Sequence, residues 1–336
     1  MLHNHFPLKQ YNSFALEAYA KQALIIENHK QLTSFAENLP EHFYILGGGS
    51  NSLFTCDYEG MVVCPRFKGV NVKQDDDYFY IEAASGENWH NLVSYCVEQG
   101  MPGLENLALI PGNCGAAPIQ NIGAYGIEFA TVCDYVKWFD FASKRQRIMS
   151  AEQCQFGYRD SVFKHALKGQ GIITAIGLKL AKTWQPCLNY QGLNELAEHC
   201  SAIDVMNKVI AIRQSKLPDP AVLPNAGSFF KNPVVDKHTY LTLKQNHPEM
   251  PAYPNGNDKY KLAAGWLIDQ CGLKGKQIGG AAVHKKQALV LVNIDNAQGK
   301  DVTDLAKFVK SFVLNKFNIN LEPEVRIIAE LDEVLL

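Results

Sequence analysis

The sequence lacks a long hydrophobic run, a paired cysteine motif and an excess of either charge. Its apolar runs all fall short of the roughly 18 residues of a membrane-spanning helix, and its first residues lack the continuous apolar stretch of a signal peptide. A net charge of -2 argues against nucleic acid as a partner. We therefore expect a cytoplasmic protein that binds neither membranes nor nucleic acids.

The cysteines and histidines form no disulfide or metal-binding pattern. Nine cysteines are scattered along the chain without a CxxC pair, which predicts reduced thiols that are mostly buried. Among the ten histidines only His3 and His5 lie close in sequence, and we interpret this pair as part of a mobile N-terminus. The sequence therefore predicts no metal site.

Charge is unevenly distributed along the chain. Residues 211–290 contain eleven lysines and arginines against five acids, which gives this segment a charge of +6 and leaves -8 for the rest. A solvated basic face is one interpretation. The other is a pocket for a polyanionic small molecule, such as a diphosphate that also carries a carboxylate.

The chain has 336 residues, 47% of them hydrophobic, which is enough for two or three globular domains. Apolar spacing and turn residues predict both helices and strands, and Leu217-Pro218-Asp219-Pro220 is the best candidate for a domain linker. The predicted strands are residues 43–46, 61–65, 78–84, 131–139, 171–180, 288–293 and 324–329. The predicted helices are residues 28–37, 88–99, 206–215, 261–271 and 302–317.

Two glycine-rich segments indicate a site for a diphosphate. Gly47-Gly48-Gly49 directly follows a predicted strand and leaves backbone N–H groups open to an anion, although three glycines also form plain turns. This segment matches neither the dinucleotide fingerprint GxGxxG nor a P-loop. Residues 110–126 contain four glycines, three alanines and two prolines, so they cannot form an ordinary helix or central strand. A planar ring with a diphosphate tail is the expected occupant of their exposed backbone.

These segments resemble the two FAD-binding segments of flavoproteins of the vanillyl-alcohol-oxidase type, also called PCMH-type. Together with four further motifs in order, they are similar to the type I branch of the UDP-N-acetylenolpyruvoylglucosamine reductase (MurB) family. The six motifs are Leu46-Gly47-Gly48-Gly49-Ser50-Asn51, residues 110–126, Gly157-Tyr158-Arg159-Asp160-Ser161, Lys216-Leu217-Pro218, Gly227-Ser228-Phe229-Phe230-Lys231-Asn232-Pro233 and Leu321-Glu322-Pro323-Glu324-Val325-Arg326.

The resemblance implies an α+β fold, in which a two-part FAD-binding region of the vanillyl-alcohol-oxidase type precedes a smaller α+β substrate-binding domain. The expected domains are residues 1–66 and 67–215 for FAD and 216–336 for the substrate, with the last strand returning to the active site. The implied activity is the NADPH-dependent reduction of the enolpyruvyl ether of a UDP-sugar in peptidoglycan precursor synthesis. The alternatives are another FAD oxidoreductase of this fold with a different substrate, and a flavin- or nucleotide-sugar-binding regulator without turnover.

Hydride addition to an enol ether conjugated with a carboxylate pushes charge onto that carboxylate, so the site needs a cation and an acid. Arg159, at a predicted strand exit, supplies the cation or else pairs with Asp160 at the surface. Glu324, in a predicted buried strand, hydrogen-bonds the enolate or forms an ion pair with Arg326. The resemblance implies that Ser228 donates the proton, whereas on sequence alone this Gly-Ser before two aromatic residues is a strand-end turn.

The resemblance also implies the residues that contact FAD and the substrate. FAD is expected to be non-covalent, because the first glycine-rich segment has neither His nor Cys and Cys114 in the second is interpreted as a packing residue. Ala116 and Ala117 replace a hydroxyl that many members offer, so one cofactor hydrogen bond, of about 1 kcal/mol, is missing or comes from the backbone. Lys216 either holds a phosphate or returns the proton to Ser228 through water. The expected FAD contacts are Gly47, Gly48, Gly49, Ser50, Asn51, Pro111, Gly112, Gly115, Gly123, Tyr125 and Gly126, and the expected substrate contacts are Tyr190, Lys216, Asn232, Tyr253, Lys261, Lys274, Gln287 and Arg326.

Overall fold

The computed structural model describes residues 2–197, 199–256 and 258–336. The chain forms two compact units, and each unit is assembled from separate stretches of sequence. The first unit holds residues 2–5, Gln22–Gly49 and Gly60–Ser215, and the second holds Phe6–Lys21, Ser50–Glu59 and Lys216–Leu336. The division into residues 1–66, 67–215 and 216–336 stays a prediction.

In residues 2–66, the N-terminal part of the described chain, there are one α-helix and five strands. The strands are β1 (Leu2–Pro7), β2 (Tyr19–Ile26), β3 (Phe43–Ile45), β4 (Ser52–Phe54) and β5 (Tyr58–Pro65), and four of them form a sheet in the order β1-β2-β5-β3. Helix α1 (His29–Glu37) begins where the Asn28 side chain accepts a hydrogen bond from the Gln31 amide at 3.0 Å. Its apolar face packs Leu32 and Phe35 against Ile26 and Val63, which fixes the helix on the sheet.

A second sheet of the first unit is antiparallel. Its strands are β6 (Val70–Gln74), β7 (Tyr78–Ala84), β10 (Cys133–Asp140), β11 (Arg145–Ser150) and β12 (Gly171–Ala181), in the order β11-β10-β12-β7-β6. The small hairpin of β8 (Gly123–Ala124) and β9 (Ile127–Glu128) and the helices α2 (Trp89–Glu98) and α3 (Ala202–Lys216) complete this unit. Helix α2 buries Trp89, Leu92 and Val93 in the core that it shares with Ile81 and Ile176 of the sheet.

Among its described residues, the second unit contains three small sheets and three α-helices. Its strands are β13 (Asn225–Ser228), β14 (Val234–Asp236), β15 (Ala252–Pro254), β16 (Lys259–Leu262), β17 (Gln277–Ile278), β18 (Ala281–Val283), β19 (Val290–Asn293), β20 (Arg326–Ile328) and β21 (Glu333–Val334), and its helices are α4 (Lys237–Asn246), α5 (Ala264–Gln270) and α6 (Gly299–Phe317). The sheet orders are β13-β19-β18-β17, β14-β16-β15 and β21-β20-β4. Helix α6 places Val302, Leu305 and Val309 in one core with Phe14 and Leu53 from the N-terminal stretches.

Most predicted elements are confirmed, and two need correction. Lys261 and Leu262 were predicted to start a helix but end strand β16, because antiparallel pairing with β15 buries Leu262 opposite Ala252; helix α5 begins only at Ala264. The last strand was predicted to start at Glu324 but starts at Arg326, where parallel pairing with β4 begins. Within the described residues, no helix is both long and apolar enough to span a membrane.

Candidate functional site

The first glycine-rich loop presents unpaired amides. The amide of Leu46 still donates to the Val63 carbonyl at 2.8 Å, in line with the parallel pairing of β3 and β5. The amides of Gly47, Gly48 and Gly49 that follow donate to no group in the part of the chain that the structure describes. Consecutive free N–H groups in a turn are a suitable site for a phosphate.

The second glycine-rich loop lies directly against the first. A Cβ atom on Gly48 would meet the Gly112 Cα at 3.0 Å and the Asn113 side-chain oxygen at 3.2 Å. A Cβ atom on Gly115 would lie only 2.5 Å from the Cβ of Ser85. The Gly115 amide donates a hydrogen bond to the Ser85 carbonyl at 2.9 Å. The glycines therefore allow two backbones to approach more closely than side chains permit.

The thiol inside the second loop is a packing group. Cys114 is fully buried, and this burial raises the pKa of its thiol far above the usual range. A thiol that stays protonated is a poor nucleophile, so it does not favour a covalent flavin bond. The loop chemistry thus fits a non-covalently bound FAD: free amides for its diphosphate and small residues along a planar ring. Among the described residues, no three His, Cys, Asp or Glu side chains are placed to share a metal ion.

Arg159 lies in a tight turn, not at the strand exit that its sequence position predicted. The amides and carbonyls of Gly157 and Asp160 close the turn, and Arg159 adopts φ = 53°. Its Nη2 donates to the Gly123 carbonyl at 2.6 Å, which attaches the guanidinium to the second glycine-rich loop. Asp160 is bonded instead by the His165 ring at 2.8 Å.

The second unit brings Ser228 and Glu324 together. The Glu324 amide donates to the Phe229 carbonyl at 2.8 Å, and Phe230 pairs with Pro323. Phe229 and Phe230 are fully buried, so they anchor this pairing in the core. The Ser228 hydroxyl itself makes no hydrogen bond to the described chain, which leaves its proton available to a ligand.

A β-bulge sets the direction of Ser228. The pairing of β13 with β19 shifts register between Asn225 and Ser228, and Gly227 adopts φ = 70° there. The buried Asn225 side chain accepts a hydrogen bond from the Gly227 amide at 2.8 Å and donates to two carbonyls. Bulges commonly re-aim a side chain next to an active site. Sequence reasoning missed Asn225, whose only signal was a polar residue among apolar ones.

Asn51, from the first glycine-rich segment, contacts this same region. Its side-chain nitrogen donates to the Glu324 carbonyl at 3.1 Å, and its carbonyl accepts from the Arg326 amide at 3.0 Å. The Arg326 guanidinium forms a bidentate pair with Glu333, at 2.7 and 3.1 Å. A predicted FAD contact therefore sits beside a predicted catalytic residue within one unit.

The predicted substrate residues of the second unit fall on several elements. Tyr253 and Lys261 are directly opposite each other in the β15–β16 pair, with Tyr253 exposed. Lys274 pairs with Asp269 at 2.7 Å, and the Asn232 side-chain oxygen accepts from the Ala264 amide at 2.9 Å. The Gln287 side-chain oxygen lies 3.2 Å from the position that a Cβ atom on Gly265 would take. Lys216 is the last residue of helix α3.

Tyr190 and Tyr125 form a contact pair in the first unit. Their ring centroids are 4.8 Å apart in an edge-to-face arrangement. The buried side chain of Asn106 donates to the carbonyls of Tyr125 and Cys187 at 2.8 and 2.9 Å. It thereby connects the second glycine-rich loop with the stretch from Cys187 to Gly192, here called the Tyr190 segment. Sequence reasoning missed Asn106, because a lone polar residue does not reveal partners 19 and 81 positions away.

Comparison with known proteins identifies the protein family of this chain. The family profile for the C-terminal domain of UDP-N-acetylenolpyruvoylglucosamine reductase matches residues 219–328, and the profile for an FAD binding domain matches residues 26–150. The UDP-N-acetylenolpyruvoylglucosamine reductase of Vibrio cholerae is 52% identical over 334 residues, covering 98% of this chain and 95% of the relative. The enzyme of that name from Escherichia coli is 50% identical over 335 residues, covering 98% of both chains.

The likeness extends to three dimensions. The crystal structure of UDP-N-acetylenolpyruvylglucosamine reductase from Thermus caldophilus superimposes with a TM-score of 0.68 at 23% identity, covering 97% of this chain and 98% of that one. This likeness supports the predicted α+β fold with an FAD-binding region followed by a C-terminal domain. Because sequence identity of about half extends over nearly the whole chain, the protein belongs to the UDP-N-acetylenolpyruvoylglucosamine reductase family.

Proposed function

We propose that this protein reduces the enolpyruvyl ether of UDP-N-acetylenolpyruvoylglucosamine to UDP-N-acetylmuramate, with NADPH as hydride donor and FAD as cofactor. The observation that carries the proposal is the pairing of residues 229–231 with 322–324, which holds a serine with a free hydroxyl beside Glu324. This arrangement offers an acid and a carboxylate in one place, as the reaction requires. The reaction belongs to peptidoglycan precursor synthesis, and a cytoplasmic location stays a prediction.

The residues that would hold FAD are those of the two glycine-rich loops. The free amides of Gly47, Gly48 and Gly49 would bind its diphosphate, and the small residues of the second loop would lie along its ring system. When bound, FAD would supply hydride chemistry that no amino-acid side chain provides. The remaining FAD contacts that the family resemblance implies are Ser50, Asn51, Pro111, Gly112, Gly115, Gly123, Tyr125 and Gly126.

Three side chains are proposed to act on the substrate. The Arg159 guanidinium binds the substrate carboxylate and stabilises the negative charge that develops there. Ser228 donates a proton to the carbon adjacent to that carboxylate, which a hydroxyl that is always protonated at neutral pH can do. Glu324 hydrogen-bonds the developing enolate, as the donor when its carboxyl group is protonated. The proposed contacts to the rest of the UDP-sugar are Tyr190, Lys216, Asn232, Tyr253, Lys261, Lys274, Gln287 and Arg326.

The purified protein is expected to be yellow, and acid or heat is expected to release all of its flavin as free FAD. The reason is that the first glycine-rich segment contains neither His nor Cys and that burial raises the pKa of the Cys114 thiol, which keeps it protonated. The measurement is the visible spectrum before precipitation, followed by chromatography of the supernatant. Flavin that stays with the precipitated chain would contradict the non-covalent site, and a colourless protein indifferent to FAD and NADPH would overturn the proposed function.

Replacing Lys274 by alanine is expected to weaken binding of the UDP-sugar about tenfold at low salt, because a charged hydrogen bond to phosphate is worth about 1.5 kcal/mol or more. The loss is expected to shrink as salt rises, since salt screens exposed charges. Substrate affinity is measured by titration, and the rate of flavin bleaching by NADPH is expected to stay unchanged.

Lys237→Ala is the matched control for this prediction. Lys237 also pairs with an aspartate, Asp258 at 3.4 Å, and its removal changes the net charge of the same unit equally. If both variants weaken the substrate to the same degree, only the general positive charge of the unit matters. A Lys274→Ala variant that changes flavin bleaching as much as substrate binding would place this lysine elsewhere.

A further inference from the structure

Arg213, in helix α3, is a half-buried cation without a counter-charge in the part of the chain that the structure describes. Its Nε is buried and has no hydrogen-bond partner in the described chain. Its guanidinium donates to the Tyr125 hydroxyl, but among residues 2–197, 199–256 and 258–336 no carboxylate lies within ion-pair distance of it. Burial lowers the pKa of Arg213. A charge that is partly removed from water without a counter-charge is costly to a fold, so its presence at this position calls for an explanation.

The titratable groups that face Arg213 in the described residues are two phenols and an imidazole, and no carboxylate is among them. Burial raises the pKa of the Tyr125 hydroxyl, so it stays protonated. His90 uses Nδ1 to accept a hydrogen bond from the Leu109 amide at 3.1 Å, and burial followed by the charge of Arg213 lowers its pKa. The remaining neighbour, Tyr190, is also a phenol. Nothing in this cluster therefore neutralises the guanidinium.

Hydrogen bonds and packing contacts hold the residues around Arg213 in place. The Trp184 indole donates to Glu105 at 2.7 Å, and the Asn106 side chain bonds the carbonyls of Tyr125 and Cys187. A Cβ atom on Gly192 would lie 3.0 Å from the Ile212 side chain, so the Tyr190 segment also contacts helix α3 beside Arg213. Through its neighbours Tyr125 and Tyr190, the guanidinium therefore lies where the second glycine-rich loop and the Tyr190 segment meet.

We propose that Arg213 binds a phosphate oxygen of a diphosphate-bearing ligand. The guanidinium of Arg213 keeps N–H donors beyond those that face the Tyr125 hydroxyl, and its planar fork matches the geometry of a phosphate. A bound phosphate would also supply the counter-charge that the described chain lacks. The inference rests on the proposed function, which provides two such ligands, FAD and the UDP-sugar. It adds to the proposed site a cation outside the lysine-rich second unit.

The test uses the FAD-loaded protein and the variants Arg213→Met and Arg213→Lys. Release of FAD on dilution is followed by the fluorescence of free flavin, and binding of UDP to the loaded protein is measured by calorimetry. Arg213→Met is expected to weaken at least one of these affinities about tenfold or more, because a charge-assisted hydrogen bond is lost, and Arg213→Lys is expected to weaken it less. A change in FAD release assigns the phosphate to FAD, and a change in UDP binding assigns it to the substrate.

Arg147→Met is the control, because Arg147 pairs with Asp140 at 3.2 Å on strand β11; both affinities are expected to remain at wild-type values. Unchanged affinities for both ligands in Arg213→Met would overturn the inference. If that variant is insoluble, Arg213→Lys decides by the same two measurements, since a compact ammonium cannot reproduce the planar fork. Wild-type protein that binds neither FAD nor UDP would instead refute the proposed function itself.

Discussion

Replacing Ser228 by alanine is expected to leave the bleaching of flavin absorbance by NADPH almost unchanged and to slow its recovery with the UDP-sugar by about 10² to 10⁴-fold. The recovery phase is the one that needs a proton donor at carbon, and a positioned acid is typically worth that factor. The backbone of Ser228 pairs with Val290, so alanine keeps the strand and removes only the hydroxyl. Stopped-flow traces at the flavin absorbance, with each substrate alone, separate the two phases.

Two further variants sharpen this experiment. Ser228→Cys is expected to recover part of the lost rate, because a thiol can still donate a proton. Ser311→Ala, which removes a hydroxyl bonded to its own helix at the Phe308 carbonyl, is the control and is expected to match the wild type in both phases. An alanine variant at position 228 whose absorbance recovers at the wild-type rate would remove Ser228 from the mechanism.

Replacing Arg159 by alanine is expected to slow the recovery phase by about 10² to 10³-fold, the usual cost of removing one donor aimed at developing charge. Because its guanidinium also donates to the Gly123 carbonyl at 2.6 Å, faster release of FAD on dilution is expected as well. Arg159→Lys is expected to restore part of the rate, since it keeps the charge but not the bidentate fork.

The control for this second experiment is Arg145→Ala, an exposed arginine on strand β11. Both the recovery phase and FAD release are expected to stay at wild-type values in this variant. If Arg159→Ala accelerates FAD release without slowing recovery of the FAD-saturated protein, Arg159 only supports the second glycine-rich loop and does not contact the substrate.

Local signals predicted several elements closely but gave no sign of strands β2, β6 and β11. The interpretation of His3 and His5 as part of a mobile N-terminus was wrong, because Leu2–Pro7 forms strand β1 beside β2. Strand β7 has the predicted bounds, Tyr78–Ala84, because a dense run of β-branched and aromatic residues leaves no competing interpretation. Helix α2 lies within the predicted residues 88–99, since Asn88 caps it and Gly100 follows with φ = 73°. Strand β4 was missed, because Ser52–Phe54 is too short for a pattern and pairs with β20 far along the chain.

The candidate site was predictable only where its physics is local. Glycines that let two backbones approach leave a signal in sequence, and the Gly48–Gly112 contact follows from it. The turn that holds Arg159 could not be predicted, because its φ of 53° is imposed on a residue type that rarely adopts it. The roles of Arg213 and Asn106 could not be predicted, because their contacts are with residues that are distant in sequence and close only in the folded chain.

Because each unit is assembled from separate stretches of sequence, some residues are synthesised long before the residues with which they pair. Asn51 leaves the ribosome 273 residues before its partner Glu324, and strand β4 waits equally long for β20. At about 5 to 20 residues per second this delay is roughly 14 to 55 seconds. Throughout that interval the Leu53 side chain, later fully buried in the core of the second unit, lacks most of its partners. The nascent N-terminal segment therefore exposes apolar surface until the C-terminal elements that cover it have been made.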